Sequence, residues 1–162
     1  RPTGIKLGPG HPHEAIPENC EAQWVSINGD LVELGLWFGT LARAGISRSA
    51  LLLKDGTNHE LTSDSRTELR GQVRNLGPYI FEPDNSVVRS HLIGELAESL
   101  GLGLISSEIA YLTGDDAIDS PWLRGFKVLE ESAFDRKKLK ARLRELEARM
   151  ASKADSGRRR RS

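Results

Sequence analysis

Pro78-Tyr79-Ile80-Phe81-Glu82-Pro83-Asp84, with the run Asn85-Ser86-Val87-Val88-Arg89 behind it, divides the chain into a strand-rich part and a helix. Tyr79, Ile80 and Phe81 read as an apolar approach strand, and Pro83 stiffens the turn that follows. Asp84 offers a side-chain oxygen to the free amides of a helix start. The spacing predicts one amphipathic helix over 85–100, with Val88, Leu92, Leu96 and Leu100 four apart and Val87 and Ile93 beside them. Gly101 stands where a left-handed C-cap falls. Glu82, Asp84 and Arg89 are the polar residues at the mouth of this unit.

Upstream, two hairpins are legible. Gln23–Ile27, Asn28-Gly29 and Asp30–Phe38 form the first, because Asn-Gly supplies the two positive φ angles of a type I′ turn. Its second arm grows apolar toward Phe38 and is expected to be buried on both faces. Ala50–Lys54, Asp55-Gly56 and His59–Thr62 form the second. Gly4–Leu7 is a short strand candidate, and the prolines and glycines of 8–17 exclude regular structure there. Residues 40–48 read as a connector and 63–77 as a polar surface loop.

Downstream, Glu108–Thr113 reads as a strand ended by Gly114-Asp115-Asp116. Ser120-Pro121 has the pattern of a short helix start over Trp122–Arg124, and Phe126–Glu131 alternates as a further strand. Asp135 caps a last helix with Leu139, Leu143, Leu146 and Met150 on one stripe. Phe134 and Leu139 occupy the positions of a hydrophobic staple. Residues 152–162 lack an apolar face and read as a disordered basic tail.

The 162 residues carry no net charge, but the balance is uneven. Residues 1–126 hold 10 Lys+Arg against 17 Asp+Glu, net −7, whereas 127–162 hold 13 against 6, net +7. Such a segment fits either a nucleic-acid contact or a solvated helix and tail. The chain opens on Arg1 and its one methionine is Met150, as in a processed product or a fragment. Neither a signal-like apolar core nor a run of about 20 apolar residues is present, so a cytoplasmic protein without a membrane segment is expected.

Little free-standing chemistry is visible. Gly8-Pro9-Gly10 runs into prolines and Gly101-Leu102-Gly103 follows a helix, so neither cradles a phosphate. The lone Cys20 lacks a histidine and acid set, and His11-x-His13 lacks a third ligand at a recognised spacing. Accordingly no catalytic, cofactor-binding or metal-ligating residue is assigned.

The ordered blocks Ile5–Gly10, Glu21–Ser26, Gly29–Glu33 and Leu36-Trp37, then His59–Thr62, Tyr79–Asp84, Val88-Arg89, Ile109–Asp115 and Phe126–Glu130 carry a resemblance. They resemble the C-terminal part of bacterial class I S-adenosylmethionine-dependent methyltransferases bearing a THUMP-like C-terminal domain, over about residues 4–144. The resemblance implies an α/β chain with an α+β accessory region. Residues 1–40 would be the last strands of a Rossmann-like methyltransferase sheet, namely its fifth strand and final antiparallel hairpin. Residues 41–125 would be a small ferredoxin-like α+β region, 126–151 the start of an incomplete THUMP-like domain, and 152–162 the tail.

The resemblance further implies that the glycine-rich S-adenosylmethionine loop belongs to a missing N-terminal methyltransferase half. This chain alone would then bind no cofactor and be inactive. Nucleic acid, RNA in particular, is the implied substrate. Tyr79, Glu82, Asp84 and Arg89 are the substrate-contact candidates, with Tyr79 stacking on a base and Arg89 meeting a phosphate. The alternative is a non-enzymatic RNA- or protein-binding module using the basic C-terminal segment.

Overall fold

Both predicted hairpins form at their predicted turns. Asn28 (φ 52°) and Gly29 (φ 95°) close the first, Asp55 (φ 50°) and Gly56 (φ 75°) the second. The computed structural model describes residues 1–159, with side chains to 150. The hairpin arms are β2 (Glu21–Ile27) with β3 (Asp30–Phe38), and β4 (Arg48–Lys54) with β5 (Thr57–Ser63). With β1 (Thr3–Leu7) they make a five-stranded sheet in the order β1-β3-β2-β4-β5. The pairing of β2 with β4 is parallel and the others are antiparallel. The sheet therefore runs continuously across residue 40, joining the expected methyltransferase remnant to the first strands of the expected accessory region.

Burial on both faces of β3 is confined to Leu34, Gly35 and Leu36; Val32 is 41% exposed. The reading of a doubly buried arm holds only for this middle stretch, because β1 covers one edge there and, among the described residues, nothing covers the outward residues near the turn. The 8–17 loop contains one 3-10 turn, His13–Ala15, where irregular chain was expected. That turn places the His13 ring 4.9 Å from Trp24 and 3.9 Å from His91, stacked on both. Burial and the neighbouring His91 depress the His13 pKa to about 4.

The second sheet is antiparallel, in the order β7-β8-β6-β9. It comprises β6 (Tyr79–Pro83), β7 (Gly103–Leu104), β8 (Leu112–Gly114) and β9 (Leu123–Lys127). Only Leu112 and Thr113 of the expected 108–113 strand are extended and paired. Upstream of them Ser106 Oγ accepts from the Glu108 amide (3.2 Å), closing a turn in place of a strand. The expected helix over Trp122–Arg124 is absent. A single turn, Leu123 N to Ser120 O at 3.1 Å, leads directly into β9, which pairs residue for residue with all of β6. Five cross-strand positions outweigh the few bonds of a one-turn helix.

The helix expected over 85–100 is two helices, α1 (Asn85–Arg89) and α2 (Ile93–Leu100). His91 sits between them in the left-handed region (φ 56°). The cause is distant in sequence. Arg48 is 4% exposed, and its Nη1 donates to the Ser90 and His91 carbonyls at 2.9 and 2.6 Å. Its remaining N–H groups reach Ser65 O, Thr67 O and Glu95 Oε1. A continuous helix would have consumed the carbonyls that satisfy this buried guanidinium, which desolvation makes less basic.

The two apolar clusters explain the layers. Phe81, Val87, Leu92, Leu96 and Leu112 pack between the second sheet and the helices, with Ala50 of the first sheet joining them. Cys20, Ala22, Trp24, Leu34 and Leu36 form the other cluster on the first sheet. Gly101 (φ 66°) closes α2 with its amide on Ala97 O and Glu98 O, as the glycine signal predicts.

Residues Arg1–Leu129 form one compact unit and Glu130–Ser162 a second. The second contains α3 (Arg136–Arg159), capped by Asp135 Oδ1 on the Lys137 and Lys138 amides, both at 2.9 Å. The helix thus continues into the segment read as a disordered tail, whose last residues, 160–162, lie outside the described residues. Phe134 is 86% exposed, so the expected staple does not close. Among the described residues no helix is long and apolar enough to cross a membrane.

Candidate functional site

Asp84 is the joint between the two sheets. Its Oδ1 accepts from the Ser86 amide (2.9 Å), from Ser86 Oγ (2.6 Å) and from Ser26 Oγ of β2 (2.5 Å). Its own amide donates to Trp122 O at 2.8 Å. Ser26 and Ser86 are completely buried, so their hydroxyls need this acceptor. Asn85 adds a bond from its side-chain amide to Gly29 O (3.2 Å), tying the helix start to the first hairpin turn.

Around this joint opens a cleft of about 430 Å³. One wall is the Asn28-Gly29 turn and the end of β4, with Leu52 and Lys54; the other is Glu82–Asn85 with Pro121–Arg124. The structure therefore brings together Glu82 and Asp84 of the four sequence candidates. Tyr79 and Arg89 lie outside the cleft. Tyr79 packs against the helix-side core, its ring 6.3 Å from Phe81. Arg89 donates to Pro9 O (3.3 Å) and His11 O (3.2 Å), holding the 8–17 loop in place.

Lys54, Trp122 and Arg124 complete the cleft and were not singled out from sequence. The register would have revealed Arg124, because β9 sets it directly opposite Glu82. Among the described residues no cluster of His, Cys, Asp and Glu is arranged to hold a metal ion. A second polar network, on the opposite face of the first sheet, joins Arg43 to the buried Glu21 (2.5 Å) and to Glu60 (2.6 Å). Hydrogen bonds from Arg43 hold the Glu60 carboxyl below the usual range. Its groups are all mutually satisfied, as in a structural clamp.

No protein-family model matches the chain. Two proteins of Mycobacterium tuberculosis, from strains CDC 1551/Oshkosh and H37Rv, are each 36% identical over 143 residues. Both carry the name uncharacterized S-adenosylmethionine-dependent methyltransferase. The chain is related to methyltransferases. The match takes in 86% of this chain but 38% of each relative, so the chain spans well under half their length. A crystal structure of a Porphyromonas gingivalis W83 protein, provisionally described as a methyltransferase, superposes with a TM-score of 0.64. At 19% identity, covering 88% of this chain and 38% of that one, it shows a shared mixed α/β fold.

Proposed function

We propose that the chain is the C-terminal portion of an S-adenosylmethionine-dependent methyltransferase acting on nucleic acid, RNA in particular. It would be inactive without its cofactor-binding half. The observation that carries this reading is the relationship over 143 residues to proteins of that name, only 38% of whose length is matched. The sheet order supports it. The β2–β3 hairpin inserts its second arm beside β1, and β1 pairs on one side only among the described residues. In this reading β1 is the fifth strand of the methyltransferase sheet and the hairpin its final pair, with the missing strands adding beyond β1.

The second sheet with α1 and α2 would be the ferredoxin-like region, and residues from 126 onward the start of a THUMP-like domain. S-adenosylmethionine would then be held wholly by residues outside this chain. Calorimetric titration of residues 1–162 with S-adenosylmethionine should give no binding heat; a micromolar affinity would overturn the assignment.

The basic segment favours a second reading, a binding module without enzyme chemistry. α3 begins Arg-Lys-Lys and residues 127–162 are net +7. Restoring the upstream half of a relative and measuring methyl incorporation into bulk RNA separates the two: a module gives no incorporation.

A further inference from the structure

We propose that the cleft beside Asp84 is a nucleotide-binding site that takes one unit of a single-stranded nucleic acid. The inference rests on the nucleic-acid reading above and adds the surface that would do the binding. Lys54, Glu82 and Arg124 line the cleft, and none of their side chains has a hydrogen-bond or ion-pair partner among the described residues. Glu82 and Arg124 are directly opposed on neighbouring antiparallel strands, a position where opposite charges normally pair. Here the Arg124 guanidinium instead lies over the Phe126 ring, 5.0 Å from its centroid. The charges are kept apart and both stay available.

Strand alternation places Arg124 and Phe126 on the face of β9 away from Phe81, where Phe126 is 42% exposed. An exposed aromatic ring with a stacked guanidinium is the pairing on which unstacked bases settle. Trp122 lines the cleft itself, whereas Phe126 adjoins the cleft through the Arg124 guanidinium stacked on it. Asn28 and Asn85 supply carboxamides, Glu82 can accept from an exocyclic amino group, and Lys54 and Arg124 can meet phosphate. The cleft is balanced in charge, since Glu82 and Asp84 offset the two cations. That suits a ligand with both amino-bearing bases and phosphate better than a bare anion. The volume of about 430 Å³ fits a single nucleotide unit.

The test is fluorescence anisotropy of labelled single-stranded RNA of about ten nucleotides, within the usual site size, against the full chain. Phe126→Ala and Arg124→Ala, both at exposed positions, should each weaken binding about tenfold, the loss expected for one stacking contact. Arg124→Lys should recover only part of it, because an ammonium lacks the plane that stacks. Lys140→Glu with Arg144→Glu, on the exposed face of α3, should weaken binding less and chiefly reduce its salt dependence. Binding that survives Phe126→Ala and Arg124→Ala but vanishes with the α3 changes overturns the cleft and leaves the nucleic-acid reading standing. An absence of RNA binding by the unaltered chain overturns the cleft too and removes support for that reading.

Discussion

Asp84 does more than start a helix. A cap of this kind contributes about 0.5–2 kcal/mol through the one amide it satisfies. Here the same oxygen also satisfies the completely buried hydroxyls of Ser26 and Ser86. Asp84→Ala removes the shared acceptor and leaves the two hydroxyls only each other, Ser26 Oγ donating to Ser86 Oγ at 3.3 Å, so that one of them loses its partner. The expected loss is about 2–4 kcal/mol, read as a lower urea midpoint at unchanged slope. Asp84→Asn keeps an oxygen acceptor, so it should cost clearly less. Equal losses in the two variants would mean that charge, rather than acceptance, is what the site uses. The cap itself was legible in Pro83-Asp84-Asn85-Ser86, because capping is a local signal. Its partner Ser26 was not, being 58 residues away.

The same distinction between local and distant causes separates the elements that sequence reading placed from those it misplaced. Hairpins at Asn28-Gly29 and Asp55-Gly56, the stop at Gly101 and the cap at Asp135 are written in turn and cap residues. The break of the 85–100 helix is written in Arg48, which claims two of its carbonyls from another sheet. Apolar spacing continues through the break, so periodicity alone had no way to register it. Gly94 in α2 gives a similar warning. By helix propensity Gly94→Ala should stabilise by about 1 kcal/mol. A Cβ there, however, would stand 2.0 Å from the Leu69 carbonyl oxygen, a backbone atom that cannot swing aside. The sign is therefore reversed. Gly94→Ala should destabilise by about 1–3 kcal/mol through overpacking, seen as a lower midpoint in thermal melts. A stabilised variant would show that the segment around Leu69 yields freely.

For the chain as a whole the decisive feature is the strand at the end of the first sheet. Among the described residues β1 pairs with β3 alone and its other side is unpaired, with Ile5 42% exposed. An open edge of this kind templates pairing with a further strand. In the proposed enzyme that strand comes from the missing half; in isolated chains the available partner is a second β1. Lys6 already sits on the edge, paired to Glu33 at 2.6 Å, and blunts it only in part. The isolated chain is accordingly expected to self-associate. Ile5→Lys should raise the concentration at which dimers appear by about tenfold, equivalent to 1.4 kcal/mol of association free energy, in sedimentation velocity. A competing surface among the described residues is the stripe of α3, where Leu139 and Leu143 are 44% and 49% exposed. Leu143→Glu separates the two. If the edge is responsible, this change leaves the sedimentation profile as it was and Ile5→Lys alone shifts it. The reverse pattern would move the sticky surface to α3 and remove the main structural argument for strands adding beyond β1.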